Sequence, residues 1–231
     1  MPRKGRMIAL TSADGTEIGA YRVEPEGSAK GGLVLAMEIF GVTDHIKDLC
    51  DGFAADGYAV IAPALYDRAE RNFQASYSDA DIARARKHLD AVMYRHTEAD
   101  IQAAIDGLRI DGLGRIHIVG YCYGGSVAWL SACRCDGLTS AVGYYGRHII
   151  DFVAERPKCP TLLHFGSRDK SIPADWVERI RLAHPDVDLH VYDADHGFNS
   201  DRRQNYDETA ARLARTRTLR HFETAGRSPG R

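Results

Sequence analysis

The sequence predicts an α/β fold with a mostly parallel central sheet flanked by helices, and three observations carry that expectation. Short apolar runs alternate with longer amphipathic stretches along the 231 residues, the pattern of a wound sheet. The run over residues 31–37 is continuously apolar, fit for a strand covered on both faces. Two late apolar runs, 161–165 and 189–192, each lead into a loop with an acid or a histidine, at the strand ends where wound sheets gather ligands.

Taken in order, residues 7–10 and 18–23 form an opening hairpin about Ser12-Ala13-Asp14-Gly15, because an Asp-Gly pair favours a tight turn. The buried strand 31–37 follows, then a helix over 44–56 with Ile46, Leu49, Cys50 and Phe53 on one face and Gly57 as its stop. Residues 58–62 read as the next strand. The polar segment 66–78 is too long and mixed for a simple turn, and a long loop leaving a strand end is the candidate for substrate specificity. Two helices are expected between 79 and 109, the second with Ile101, Ala104, Ile105 and Leu108 at helical spacing. A strand over 115–119 leads to a helix over 123–133. Strands over 141–145, 161–165 and 189–192 and helices over 173–183 and 204–222 complete the alternation. For this length one domain over residues 1–224 is the default, with a frayed polar tail over 225–231.

With 44% hydrophobic and 27% charged residues the chain can bury a full core, and its formal net charge of −2 gives no electrostatic case for nucleic acid or an anionic membrane surface. A small molecule is the expected partner, and the chain is expected to be a monomer or weak homodimer. Five cysteines at irregular spacings argue against a disulfide framework and for a reducing, cytoplasmic setting. The basic start Met1-Pro2-Arg3-Lys4-Gly5-Arg6 runs straight into a strand-like segment, with no apolar signal region and no bilayer-spanning run. No metal is expected, since Cys133-Arg134-Cys135 is too close for zinc pairing and the histidines are scattered.

The chemistry centres on Ile116-His117-Ile118-Val119-Gly120-Tyr121-Cys122-Tyr123-Gly124-Gly125-Ser126, a β-branched run ending in Gly-x-Cys-x-Gly. This is the pattern of a nucleophile elbow with cysteine in place of the usual serine. A strand that turns at once into a helix strains its apex residue, and small residues two positions either side relieve the crowding. Cys122 is thereby thrust into a pocket, but it is inert unless something takes its proton. Asp169, in the loop 166–173, and His196, in the loop 193–198, follow in the order nucleophile, acid, histidine. His196 would share the thiol proton and later give it to the leaving group, while Asp169 fixes the ring's tautomer. Asp195 adjoins the histidine, but sequence neighbours seldom point at one another, so Asp169 is preferred. An oxyanion formed from an ester carbonyl needs two donors: the amide of Tyr123, after the nucleophile, and one from the loop after residues 31–37, where Ile39 offers its own. Glu38 in that loop is an acid ending a buried strand. It needs a hydrogen-bonding partner, and the neutral Cys122 thiol is a candidate.

At these residues the chain resembles the dienelactone hydrolase family, whose pattern pairs the loop Glu38-Ile39-Phe40-Gly41 with a Gly-Tyr-Cys-x-Gly-Gly elbow. The resemblance extends through Pro63-Ala64-Leu65-Tyr66, Gly143-Tyr144-Tyr145-Gly146, the Asp169 loop and His196-Gly197-Phe198, over roughly residues 7–224. It implies an α/β-hydrolase fold, a Cys122-His196-Asp169 triad, hydrolysis of an ester or lactone through a covalent thioester, and no metal or organic cofactor. It also implies that Glu38 holds the resting thiol until substrate displaces it. In the dienelactone-cleaving members arginines grip the substrate carboxylate, whereas Ile82 and Ser200 stand at those places here. Arg84, Arg86 and Arg203 lie close by and are the substrate-binding candidates, set against the ordinary reading of Arg84 and Arg86 as a solvated helix face. A thioesterase or acyl-transfer enzyme on the same machinery is the alternative within enzymes. A silent ligand-binding or thiol redox-sensing protein is the alternative outside them.

Overall fold

The structure, a computed structural model, describes residues 4–92, 94 and 96–225. In chain order these form strands β1 (Arg6–Thr11), β2 (Glu17–Val23) and β3 (Gly31–Ala36), helix α1 (Asp44–Ala55), strand β4 (Tyr58–Pro63), and helices α2 (Asp79–Val92) and α3 (Thr97–Ile110). Strand β5 (Ile116–Tyr121), helix α4 (Tyr123–Arg134), strand β6 (Ser140–Tyr144) and a 3₁₀ helix (Arg147–Phe152) follow. Strand β7 (Thr161–Gly166), helix α5 (Ala174–Ala183), strand β8 (Asp188–Tyr192) and helix α6 (Glu208–Thr224) close the chain.

The eight strands make one sheet in the order β1-β2-β4-β3-β5-β6-β7-β8. From β4 to β8 every pairing is parallel, while β1 and β2 join as an antiparallel hairpin. The predicted turn closes that hairpin, with Gly15 at φ +82° and its amide donating to the Ser12 carbonyl at 2.9 Å. Every residue of β3, β4, β5, β6 and β7 is buried, so their apolar runs need no alternation, whereas the edge strand β8 is largely open. The crossover from β3 through α1 to β4 goes one way across the sheet, and the next, through α3, returns to β5 beyond β3. The carboxyl ends of β3, β5, β7 and β8 therefore point to one edge, where the expected site residues gather.

Several boundaries differ from the sequence expectation for identifiable reasons. Helix α6 starts four residues later than expected because Asp207 caps it, its carboxylate accepting from the Ala210 amide at 2.9 Å. The expected fraying does not begin at Ala225, which is buried and whose carbonyl accepts from the Arg115 guanidinium at 2.8 Å; the same group binds the Phe222 carbonyl at 2.6 Å and so satisfies the end of α6. Residues 226–231 of the expected tail lie outside the described residues. The 3₁₀ helix went unpredicted, since six residues carry too little periodicity to register.

Candidate active site

Strand β5 runs into α4 through Cys122, whose backbone sits at φ 57°, ψ −114°. Such a conformation is costly for a residue with a Cβ and persists only where its surroundings hold it. Here the Cys122 amide donates to the Tyr144 carbonyl at 3.0 Å, and the Gly125 amide donates back to the Cys122 carbonyl at 3.0 Å. Glycines do the rest. A Cβ on Gly120 would run into the Gly124 carbonyl, and one on Gly124 into the Ala36 carbonyl at the end of β3. The elbow is thus built by close backbone approach between β5, α4 and β3.

The sulfur lies 3.2 Å from His196 Nε2, and His196 Nδ1 lies 2.6 Å from Asp169 Oδ2. The other carboxylate oxygen, Asp169 Oδ1, accepts from the Ser171 amide at 2.8 Å and from its hydroxyl at 2.6 Å. Asp169 is buried, and these bonds together with the histidine overcome burial to hold its carboxyl below the usual range. Burial alone would push the His196 imidazole down. The charge and hydrogen bond of Cys122 and the Asp169 carboxylate prevail over it and lift the ring to about 10. The sulfur, the ring and the carboxylate thus lie in one hydrogen-bonded line, with His196 able to pass a proton at Nε2. Asp195 turns elsewhere, toward Arg168 at 3.8 Å.

In this conformation Glu38 does not meet the Cys122 thiol. Its carboxylate is wholly buried with neither oxygen hydrogen-bonded among the described residues, and the Cys122 thiol is engaged with His196 instead. The neighbourhood still feels the charge: burial first, then Glu38, raises the Tyr77 phenol to about 12. Tyr145, strained at φ 38° and with its hydroxyl buried and without a partner among the described residues, is held well above its ordinary value by burial and then by Glu38. Its ring packs 5.1 Å from that of His196, a contact with no signal in the sequence.

A cavity of about 600 Å³ opens over the sulfur, with Ile39, Phe40, Tyr123 and His196 in its wall. The side chain of Tyr123 is buried, its hydroxyl 3.1 Å from Thr97 Oγ1, and as the first residue of α4 its amide has no intrahelical acceptor. The segment 66–78 does not line this cavity. It braces the wall from behind, the Ala75 amide donating to the Phe40 carbonyl at 3.0 Å and Gly41 bridging to Gln74. Helix α2 supplies the lining instead, through Ile82, Arg86 and Leu89. Arg86 and Arg203 both reach the cavity, Arg203 lying over the Phe40 and Tyr77 rings at 5.9 and 5.6 Å. Arg84 does not; it pairs with Glu70 at 3.0 Å and covers Phe73 at 4.6 Å, the better-satisfied place for a guanidinium one turn from the pocket.

The sequence matches the model of the dienelactone hydrolase family over residues 18–226. The chain belongs to that family. A provisionally named carboxymethylenebutenolidase of Salmonella typhimurium is 32% identical over 96% of this chain and 88% of its own length. Carboxymethylenebutenolidase 1 of Cupriavidus pinatubonensis is 29% identical over 92% and 94%. The crystal structure of a provisionally assigned dienelactone hydrolase from Klebsiella pneumoniae superposes with a TM-score of 0.79 at 30% identity, over 95% of this chain and 99% of that one. As a dienelactone hydrolase family member the protein has the α/β-hydrolase fold and is a hydrolase acting on ester bonds. No helix among the described residues is long and apolar enough to cross a membrane. Within this family site, Ile82 presents an apolar side chain to the cavity and Ser200 is buried with its hydroxyl 3.3 Å from that of Tyr77. Ser171, Arg147 and Lys170 also line it and were not anticipated. Ser171 had a signal, since a hydroxyl two residues after an aspartate in a loop is a common turn-forming pair; Arg147 and Lys170 carried none beyond following a strand end.

Proposed function

We propose that this dienelactone hydrolase family member cleaves an ester or lactone with Cys122 as nucleophile, His196 as proton carrier and Asp169 as its anchor. The reading rests on one observation above the rest: sulfur, imidazole and carboxylate in a hydrogen-bonded line of 3.2 and 2.6 Å at the floor of the cavity.

The Cys122 thiolate attacks the acyl carbon, and the carbonyl electrons move to oxygen, where the Tyr123 and Ile39 amides receive the charge. Collapse expels the alkoxide, which takes the proton from His196 Nε2 and leaves a thioester. Acylation also removes the negative charge from sulfur. Two of the interactions that hold the imidazole high are then gone, so His196 is released as a base that draws a proton from water. The hydroxide adds to the thioester, and collapse frees the acid and restores the thiolate. Arg86 and Arg203 hold a polar part of the substrate. Glu38 takes the thiol proton's hydrogen bond when no substrate is present, by rotation of the Cys122 side chain away from His196. Support for that switch lies in the cost of leaving a buried carboxylate unbonded, and a masked thiol would resist oxidation in a reducing, cytoplasmic setting.

Intact mass spectrometry of the enzyme with a slow ester tests the reading. An acyl adduct on Cys122 that decays on dilution is expected, and Cys122→Ala neither acylates nor turns over. An adduct on Cys50, Cys133, Cys135 or Cys159, or turnover by Cys122→Ala, would overturn it.

A further inference from the structure

Four cations, Arg86, Arg147, Lys170 and Arg203, line the single cavity over Cys122, and they come from four different segments: α2, the 3₁₀ helix after β6, the loop after β7, and the segment after β8. None of the four forms an ion pair with a described residue, although arginines elsewhere, such as Arg68, Arg134 and Arg202, find carboxylates. Asp195 is the one carboxylate in the lining, and Arg168 already stands 3.8 Å from it. The chain as a whole is slightly acidic, at −2, so this concentration of positive charge is local. A cavity of about 600 Å³ is about one Debye length across at physiological salt, which makes all four cations act on one ligand. Arg86, Arg147 and Lys170 are exposed and Arg203 is half-buried, so their charged ends are open to anionic groups of a ligand that enters the cavity.

We propose that the substrate carries at least two negative charges away from the scissile bond, and that Arg147 and Lys170 determine specificity by holding one of them on the β6–β7 side of the cavity. The positions differ from the arginine places of the dienelactone-cleaving pattern, where Ile82 and Ser200 stand. Arg86 and Arg203 take the other charge. The proposal rests on the hydrolase reading above, because it assigns the ends of that reaction's substrate.

Three p-nitrophenyl esters test it, their acyl chains of equal length bearing no carboxylate, one or two. The expected result is that kcat/KM of the wild type rises with charge, at least tenfold from the neutral to the doubly charged ester, and that this gain shrinks as salt is raised from 20 to 500 mM. Arg147→Gln and Lys170→Gln each lower the ratio of doubly charged to neutral kcat/KM at least fivefold, chiefly through KM, and Lys170→Arg restores it. Equal rates on the three esters, or variants that lower all three alike, overturn the proposal while leaving Cys122-dependent hydrolysis intact. Hydrolysis independent of Cys122 overturns the reaction itself. If none of the esters is turned over, binding of the doubly charged acid by calorimetry decides the subsite: affinity lost in both glutamine variants supports it, and no binding overturns it.

Discussion

The single residues proposed to carry the chemistry divide by how much of their environment a sequence can show. Cys122, His196 and Asp169 stand in loops with a fixed order, so their types and positions were readable. Ser171 braces both partners, donating twice to Asp169 Oδ1 so that Oδ2 is left for the histidine, with its hydroxyl 3.2 Å from His196 Nδ1 as well. Removing a hydrogen bond to a charged group costs about 1.5–3 kcal/mol, so Ser171→Ala is expected to lower kcat by about ten- to a hundredfold, with Ser171→Thr retaining most of it. The check is steady-state kinetics on an activated ester. His196 carries a pH prediction. Its pKa is raised to about 10, so the imidazolium that protonates the leaving group persists as pH rises and is lost only near that value. The alkaline limb of kcat/KM is expected near pH 10, and Asp169→Asn, which removes one of the raising partners, should move it to lower pH. A limb near pH 7 in the wild type would contradict the raised value of His196.

At the scale of elements, the strands and the elbow were legible because burial on both faces writes itself as continuous apolar sequence, and because Gly-x-Cys-x-Gly is a steric requirement of the turn. The long segment 66–78 stands behind the cavity wall instead of lining it. A long polar segment after β4 signals that something functional is near, but it does not say whether the segment faces the cavity or props the wall that does. Its anchors are long-range: Asp67 accepts from the Gly19 amide at 2.7 Å, and Arg68 pairs with Asp100 on α3 at 2.7 Å, contacts invisible in the sequence. The Glu38 loop poses the same difficulty, since an acid at a strand end announces a need for a partner and not whether it finds one. The elbow itself gives a test. Gly124 has the Ala36 carbonyl where a Cβ would go, and backbone cannot step aside as a flexible side chain can. Gly124→Ala is expected to force α4 from β3 at a cost of about 1–3 kcal/mol or more, read as a lower urea midpoint and a larger loss of turnover than the stability loss explains. An unchanged midpoint would mean that the close packing drawn here is not needed.

For the molecule as a whole, the parallel order from β4 to β8 brings two histidines into the interior where neither can hold a charge. His117 on β5 is buried between Tyr58 and Phe222, its Nδ1 2.8 Å from Ser140 Oγ, and burial, with a smaller contribution from Arg115, depresses it to about 3. His164 on β7 is fully buried, bonded to the hydroxyls of Tyr192 at 2.9 Å and Thr218 at 3.1 Å, and lies well below its ordinary value for the same reason. Their sequence positions gave no hint of this, because a histidine in an apolar run is ambiguous until the covering helix is known. The consequence is a sign. Between about 6.5, the unfolded value, and the depressed folded value, the unfolded chain binds protons that the native chain refuses, so stability rises with pH and is lost as pH falls through that window. For His117 alone the loss between pH 7.5 and 4.5 is about 3 kcal/mol. Urea unfolding at those two pH values, for the wild type and for His117→Asn, isolates the contribution from that of the carboxylates, which titrate in both. The variant is expected to be the less stable at pH 7.5 and to lose less on acidification, so that the gap between the two midpoints narrows. Parallel losses in the two proteins would show that His117 accepts its proton in the folded state and that the interior of the sheet is less closed to charge than its burial implies.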